Sequence, residues 1–368
     1  MAAIFSSHKR LARTRCLRSQ ICSLMRRGIE SRAAEEGELS GAQRLAERLR
    51  QEQKNKGKEE QVHESPVNQQ VKKLVQLTQQ LQHVHPNVLA KALARSTVYQ
   101  DEQIVVVDKP YGVPVHGGPG VKTSIADVLP VLAKMLFGMK AEPLHICHRL
   151  DKETTGAMVL AKNEKTAEYI QHLFRTRQVL KKYWAVSVGV PDPLEGILEI
   201  PILEKKIEGP QPHYKMTLAP NYHIGEEDGK LVRTRNNWNA HSAVTQYRVL
   251  DSVGSSALLE LHPITGVKHQ LRVHMAFGLG CPILGDHKYS SWNTLAPQKL
   301  PKSILKKLGL DQAKSRYLPV HLHACQLSLP VLEGQKNVNL VCKPPRFFRN
   351  SLWQLKLELP QLGKESGV

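Results

Sequence analysis

The sequence predicts an α+β fold, a mostly antiparallel mixed sheet flanked by helices, on three observations. Seven short β-like runs follow Tyr99, separated by Pro and Gly: QIVVVDKP, HICHRL, GAMVLAK, KYWAVSVGV, AVTQYRVL, SALLELHP and LHACQLSLP. Two amphipathic stretches, SIADVLPVLAKMLFG and EKTAEYIQHLFRTRQ, interrupt them irregularly instead of after every strand. No internal repeat is visible.

Along the chain, residues 1–32 carry eight Lys or Arg against one acid, Glu30, with serines interspersed. That composition predicts a mitochondrial transit peptide, with a basic RNA-binding arm as the other reading. Residues 33–64 are rich in Glu, Gln, Lys and Arg and hold too little apolar surface to fold alone, which predicts a polar linker or solvated helix. Over 65–96, Val67, Val71, Leu74, Leu81 and Val84 recur at helical spacing until His85-Pro86, predicting a helical N-terminal extension. A single strand-rich domain is expected over 97–350, with a polar excursion from Gly225 to His241. Residues 351–368 read as a C-terminal strand and tail.

Bulk composition limits the function. Of the net charge of +19, the leader accounts for +7, so the remaining +12 is spread over the rest of the 368 residues. Such a surplus points to an anionic partner, nucleic acid first. The six cysteines form no CxxC pair, which argues against a structural zinc site and a disulfide scaffold and for a reducing compartment. No run of 18 or more apolar residues exists to span a bilayer.

Four clusters carry the chemistry. In HRLDKETTG, His148 to Gly156, one carboxylate lies between Arg149 and a Thr-Thr-Gly turn. A neighbouring cation lowers a carboxylate pKa, so Asp151 is expected to be ionised and fit to act as nucleophile or base. A capped turn with an incidental ion pair accounts for the same residues. In TGVKHQLRVH, Thr265 to His274, the alternation predicts a strand bearing Lys268, Gln270, Arg272 and His274 on one side. Its two histidines have no third ligand at a metal-binding spacing. In DKPYGVPVHGGPG, prolines remove the donors a phosphate-cradling nest needs, which excludes an ATPase and leaves a pocket-lining loop that includes His116. LKKYWAVSVGV places Tyr183 on a strand as a stacking face, a proton donor or core.

In this order the clusters resemble the RluA family of pseudouridine synthases. The resemblance rests on HRLD-x-x-T-[ST]-G together with KPYGVPVHG, KKYWAV, TGVKHQLRVH and CPILGDHKY, and covers about residues 97–348. It implies the pseudouridine synthase fold with an active-site cleft across the sheet. It also implies isomerisation of uridine in RNA without cofactor or metal. By motif position it implies Asp151 as the group that starts glycosidic cleavage, Tyr183 as the stacking tyrosine placed to take the carbon 5 proton, and Arg272 as the partner of Asp151. Leu271 becomes a pocket wall and Arg149 the filler of the gap left by a flipped base. His148, Lys268 and His116 join them as substrate-binding residues, with Lys109, Lys181, Lys182 and Arg175 as further phosphate contacts. Two positions depart from the commoner pattern: Val267 stands where Arg is usual, and Thr155 where Ser is.

The expected partner is therefore mitochondrial ribosomal, transfer or messenger RNA, met in the matrix by a monomer with no membrane span. A second reading is an RNA-binding factor working among mitochondrial ribosome assembly factors, its catalysis dispensable. A carboxylate-based glycoside hydrolase would need a second acid that neither neighbouring motif supplies convincingly.

Overall fold

The computed structural model describes residues 45–51, 65–208, 212–220, 222–224, 231–233, 238–330 and 337–360. The chain divides into two units, 1–64 and 65–368. Of the first, only 45–51 is described, an exposed helical run. The expected leader over 1–32 and the tail from 361 lie outside the described residues.

The second unit opens with α1 (Pro66–Gln79), begun by Pro66 at its first position and capped by Ser65 Oγ, which accepts from Asn68 N at 3.3 Å. His85-Pro86 not only ends this pattern but starts α2 (Pro86–Arg95), with His85 Nδ1 accepting from Asn87 N. Then follow β1 (Thr97–Gln100), β2 (Ile104–Lys109), α3 (Ile125–Phe137), β3 (His145–Ile146), β4 (Thr155–Ala161) and α4 (Glu164–Arg175). β5 (Leu180–Val188) leads to β6 (Glu195–Glu199), the hairpin β7 (Ile202–Ile207) and β8 (His213–Leu218), and the pair β9 (Tyr222–Ile224) and β10 (Leu231–Arg233). The chain continues through β11 (Val244–Val253), β12 (Ser256–Pro263), the short α5 (Gln270–Val273) and α6 (Lys302–Leu308). It closes on β13 (Leu322–Leu329), β14 (Val338–Val341) and α7 (Arg346–Leu355).

One ten-stranded sheet runs in the order β1-β2-β4-β13-β5-β12-β11-β6, with β14 beside β13 and β3 beside β4. Every pairing in it is antiparallel except β4 with β13. β4 is buried along its whole length, and β2 nearly so, as expected of central strands covered on both faces. Leu89, Leu93, Ile125, Val128 and Leu132 of α2 and α3 pack on one face with Val105, Val107, Met158 and Leu160. Ile170 and Leu173 of α4 cover the other face over Val106 and Val159.

Three expectations on local structure are corrected. HICHRL contributes only His145–Ile146 to the sheet. TGVKHQLRVH is a turn followed by α5, because His269 takes a left-handed backbone (φ 55°) and bends the chain out of extension. The C-terminal strand is instead the helix α7 and its exit. Phe347, Phe348, Ser351, Leu352 and Leu355 recur at helical spacing on its buried face, which makes a helix of the segment up to Leu355. Within the expected excursion 225–241, residues 231–233 form β10, and 225–230 and 234–237 lie outside the described residues.

Candidate active site

β4 and β5 are not neighbours; β13 lies between them. Ala324 of β13 pairs with Gly156 on one side and with Tyr183 on the other, so the loop entering β4 and the first half of β5 meet across one strand. The approach demands glycine. Gly156 sits at φ 113°, and a Cβ there would lie 2.2 Å from Ala324 O. Thr155 Oγ1 and His323 Nδ1 are 2.9 Å apart, and His323 Nε2 lies 3.1 Å from Cys342 O. The carbonyl can only accept, so the ring proton is on Nε2 and the Thr155 hydroxyl donates to Nδ1. A serine would supply the same bond, which explains how Thr155 satisfies the motif.

The Asp151 loop is clamped from beneath by Lys109, fully buried, whose Nζ donates to Thr154 O (2.8 Å), Pro110 O (3.0 Å) and Lys152 O (3.1 Å). Lys109 was expected on the RNA-facing surface, and burial overturns that. Desolvation lowers its pKa to about 7, opposed by Glu153, Asp151 and Asp108. His148 also faces inward. Its Nε2 accepts from Val159 N at 3.0 Å, its ring stacks on Phe174 at 4.5 Å, and desolvation pushes its pKa down to about 3. It borders the cleft chiefly as a pillar of the loop.

Asp151 lies on the wall of two adjoining cavities of about 950 and 350 Å³. Arg149, exposed, lines both; Tyr183 and Leu271 line the larger, and His116 the smaller. The pKa of Asp151 is raised, not lowered: desolvation outweighs the fields of Arg272, Arg149 and Lys109, and Glu153 adds to the rise. Tyr183 is likewise raised, by desolvation first and by Asp151 second, so its phenol is neutral in the resting site.

Arg272 stands where it was expected, but its hydrogen bonds go elsewhere. Nε and Nη2 donate to the two oxygens of Asp286 at 2.7 and 2.8 Å, and Nη1 donates to Glu153 at 3.2 Å. It reaches Asp151 through its field alone. Asp286, from the GDHKY segment, and Glu153, from the HRLD loop itself, are thus functional neighbours that the motif reading missed. A buried arginine needs a matched carboxylate, and GDHKY was the remaining acid-bearing segment of the resemblance.

Gln270 fixes the α5 turn. Its Oε1 accepts from Thr265 Oγ1 (2.7 Å) and Val267 N (3.0 Å), and its Nε2 donates to Val244 O and Thr245 Oγ1, both at 2.9 Å. Both ring nitrogens of His274 are engaged, Nδ1 with Thr245 Oγ1 and Nε2 with Ile200 O. Val267, in place of arginine, packs against the cluster of Ile202, Met216 and Val273. Lys268 borders the larger cavity with its Nζ 2.7 Å from Glu204 Oε1 of β7. Arg175 and Lys181 line the cleft, joined by Arg177, which the sequence reading did not single out. Lys182 turns instead to Glu260 at 3.7 Å. The arrangement can take an anionic polymer along its rim and offer a desolvated carboxylate and a phenol at its floor.

Residues 103–277 match the family described as RNA pseudouridylate synthase. The chain is 60% identical over 346 residues to "Pseudouridylate synthase RPUSD4, mitochondrial" of Bos taurus, spanning 94% of this chain and 91% of the relative. The protein of the same description from Homo sapiens is 62% identical over 321 residues, 87% of this chain and 85% of the relative. A solved structure, "Human RNA Pseudouridylate Synthase Domain Containing 4", aligns with a TM-score of 0.68 at 61% identity, covering 75% of this chain and 98% of that one.

Proposed function

Because the chain belongs to the RNA pseudouridylate synthase family, we propose that its cleft converts uridine to pseudouridine in mitochondrial RNA, ribosomal or transfer RNA first, with Asp151 and Tyr183 as the reacting pair. The observation that carries this is the convergence of those two side chains on one cavity, close enough for the charge of Asp151 to act on the Tyr183 phenol, in a cleft rimmed by Arg149, Arg175, Arg177 and Lys181.

The chemistry requires breaking the bond from ribose to N1 of uracil, turning the ring and rejoining it through C5, with the C5 proton lost at the end. Asp151 starts the cleavage from its ionised form. Desolvation makes that carboxylate a stronger base and nucleophile than an exposed one, while Arg272, Arg149 and Lys109 supply the positive field that offsets its burial. Tyr183 gives the uracil a face to stack on; being neutral, it takes the C5 proton as its own hydroxyl proton passes to the Asp151 carboxylate, which is free again once the ring has rejoined. Arg149, exposed on both cavities, takes the place of the flipped base. Rim cations hold phosphates, and selection of the uridine comes from pocket shape and RNA fold. The Arg- and Ser-rich leader and the mitochondrial designation of the relatives support a mitochondrial compartment, within which the proposed place of action is the matrix.

Mitochondrial RNA labelled with tritium at C5 of uridine tests the reading. Wild-type protein is expected to release tritium and Asp151→Asn to release none. No release by the wild type would overturn it. Rescue of translation by Asp151→Asn in cells lacking the protein would favour an assembly role alongside ribosome assembly factors.

A further inference from the structure

His269 and Tyr289 have no part in the isomerisation as proposed, yet His269 lies against its central carboxylate and Tyr289 holds His269. Tyr289 is buried in the α5 region, with its backbone N donating to Asp286 Oδ1 at 3.2 Å, the same carboxylate that grips Arg272. Its hydroxyl receives the backbone N–H of Met216 at 3.4 Å. Its one proton is therefore free for His269 Nδ1, 2.5 Å away. An imidazole that accepts at Nδ1 carries its own proton on Nε2, and Nε2 faces Asp151 Oδ1 at 4.0 Å.

His269 borders both cavities at the point where Asp151 does, and its left-handed backbone aims the ring there. Non-glycine residues rarely hold that conformation, and such strain concentrates at functional sites. The groups facing the ring are Asp151 and Arg149 of the HRLD loop, Lys268 and Arg272 beside it in sequence, and Lys288 with Tyr289. Burial and these four cations keep its pKa far below the usual imidazole range, so it is a neutral donor and not a titrating base.

We infer that His269 is a positioning residue for the reaction: with its tautomer set by the Tyr289 hydroxyl, it donates Nε2–H to Asp151 as uridine seats. At 4.0 Å the donor stands about one ångström beyond hydrogen-bond length, the loose geometry that tightens in a reacting complex. The bond orients the carboxylate and favours its ionised form, a service that Arg272, committed to Asp286 and Glu153, does not perform by contact. This inference rests on the proposed isomerisation.

Three variants of the full-length protein test it, in single-turnover tritium release from C5-labelled mitochondrial RNA across pH 5–9. His269→Leu is expected to slow release about ten- to a hundredfold, the worth of a hydrogen bond to a charged group, with RNA affinity unchanged. Loss of the donor raises the Asp151 pKa, so the acid limb of the profile moves to higher pH. His269→Gln, whose amide can donate from a similar reach, is expected to recover most of the rate and return the limb. Tyr289→Phe leaves the backbone intact and frees the tautomer, giving an intermediate rate. A limb that stays put in His269→Leu, or a His269→Gln as slow as His269→Leu, overturns the inference and leaves a merely structural histidine. A carbon-13 titration of the Asp151 carboxyl in wild type and His269→Leu needs no turnover. It separates failure of this inference, an unmoved pKa, from failure of the isomerase reading, no tritium release by the wild type.

Discussion

At the scale of single residues, Lys109 shows how a cation in a basic protein can serve the interior. Its amine donates to three backbone carbonyls beneath the HRLD loop, one of which, Lys152 O, also accepts from Gly112 N. Lys109→Met keeps the length and apolar stem but leaves those carbonyls without their charged partner. Stability is expected to fall by about 2–4 kcal/mol, read from the urea midpoint, with tritium release falling further than the folded fraction does. The sequence offered no sign of this. Asp-Lys-Pro at a strand end reads equally as a surface turn, and only the register of β2 against β4, with Lys109 opposite Gly156, sends the side chain inward.

Among elements, the meeting of β4, β13 and β5 governs the site. Gly156→Ala would put a methyl group into Ala324 O and force an alanine into glycine backbone space. The expected cost is about 3 kcal/mol or more in urea unfolding, with activity lost even where the protein remains folded, because the contact joins the end of the Asp151 loop to the strand beside Tyr183. His323 gives the same junction a pH dependence. Its folded pKa is lowered to about 4 by burial, against about 6.5 unfolded. Between those values the unfolded chain binds the proton and the folded one does not. Stability is thus full above about pH 6.5 and declines as pH falls toward 4, by up to roughly 3 kcal/mol for one such imidazole. Urea unfolding across that window checks it, and His323→Gln should flatten the slope. Much of this level was legible beforehand. The strand runs and the two long helices follow from periodicity, and the Asp, Tyr and Arg positions from their motifs. What stayed hidden was partnership. Arg272 looked bound to Asp151 because both belong to signature motifs, whereas Asp286 outcompetes it with a two-toothed grip, and His269 was set aside with His274 as half of a poor metal pair.

For the whole molecule, charge is organised by the cleft. Arg149, Arg175, Arg177 and Lys181 converge on it, while Lys182 and Lys268 have acidic partners. RNA affinity is expected to fall steeply with salt. Arg175→Ala should lower the slope of log affinity against log salt by about one and weaken all RNAs alike, as a phosphate contact does. Filter binding between 50 and 300 mM salt would reveal it; an unchanged slope would remove Arg175 from the rim.

The placement of β13 has a bearing on biosynthesis. Asp151 and Tyr183 emerge from the ribosome within about thirty residues of each other, but the strand that lies between β4 and β5 follows nearly 140 residues after Tyr183. Parallel pairing of β4 with β13 is a distant, late-closing contact of the slow kind. A chain truncated before Leu322 is therefore expected to hold both proposed reacting side chains without the strand that joins β4 to β5, and to release no tritium from C5-labelled RNA.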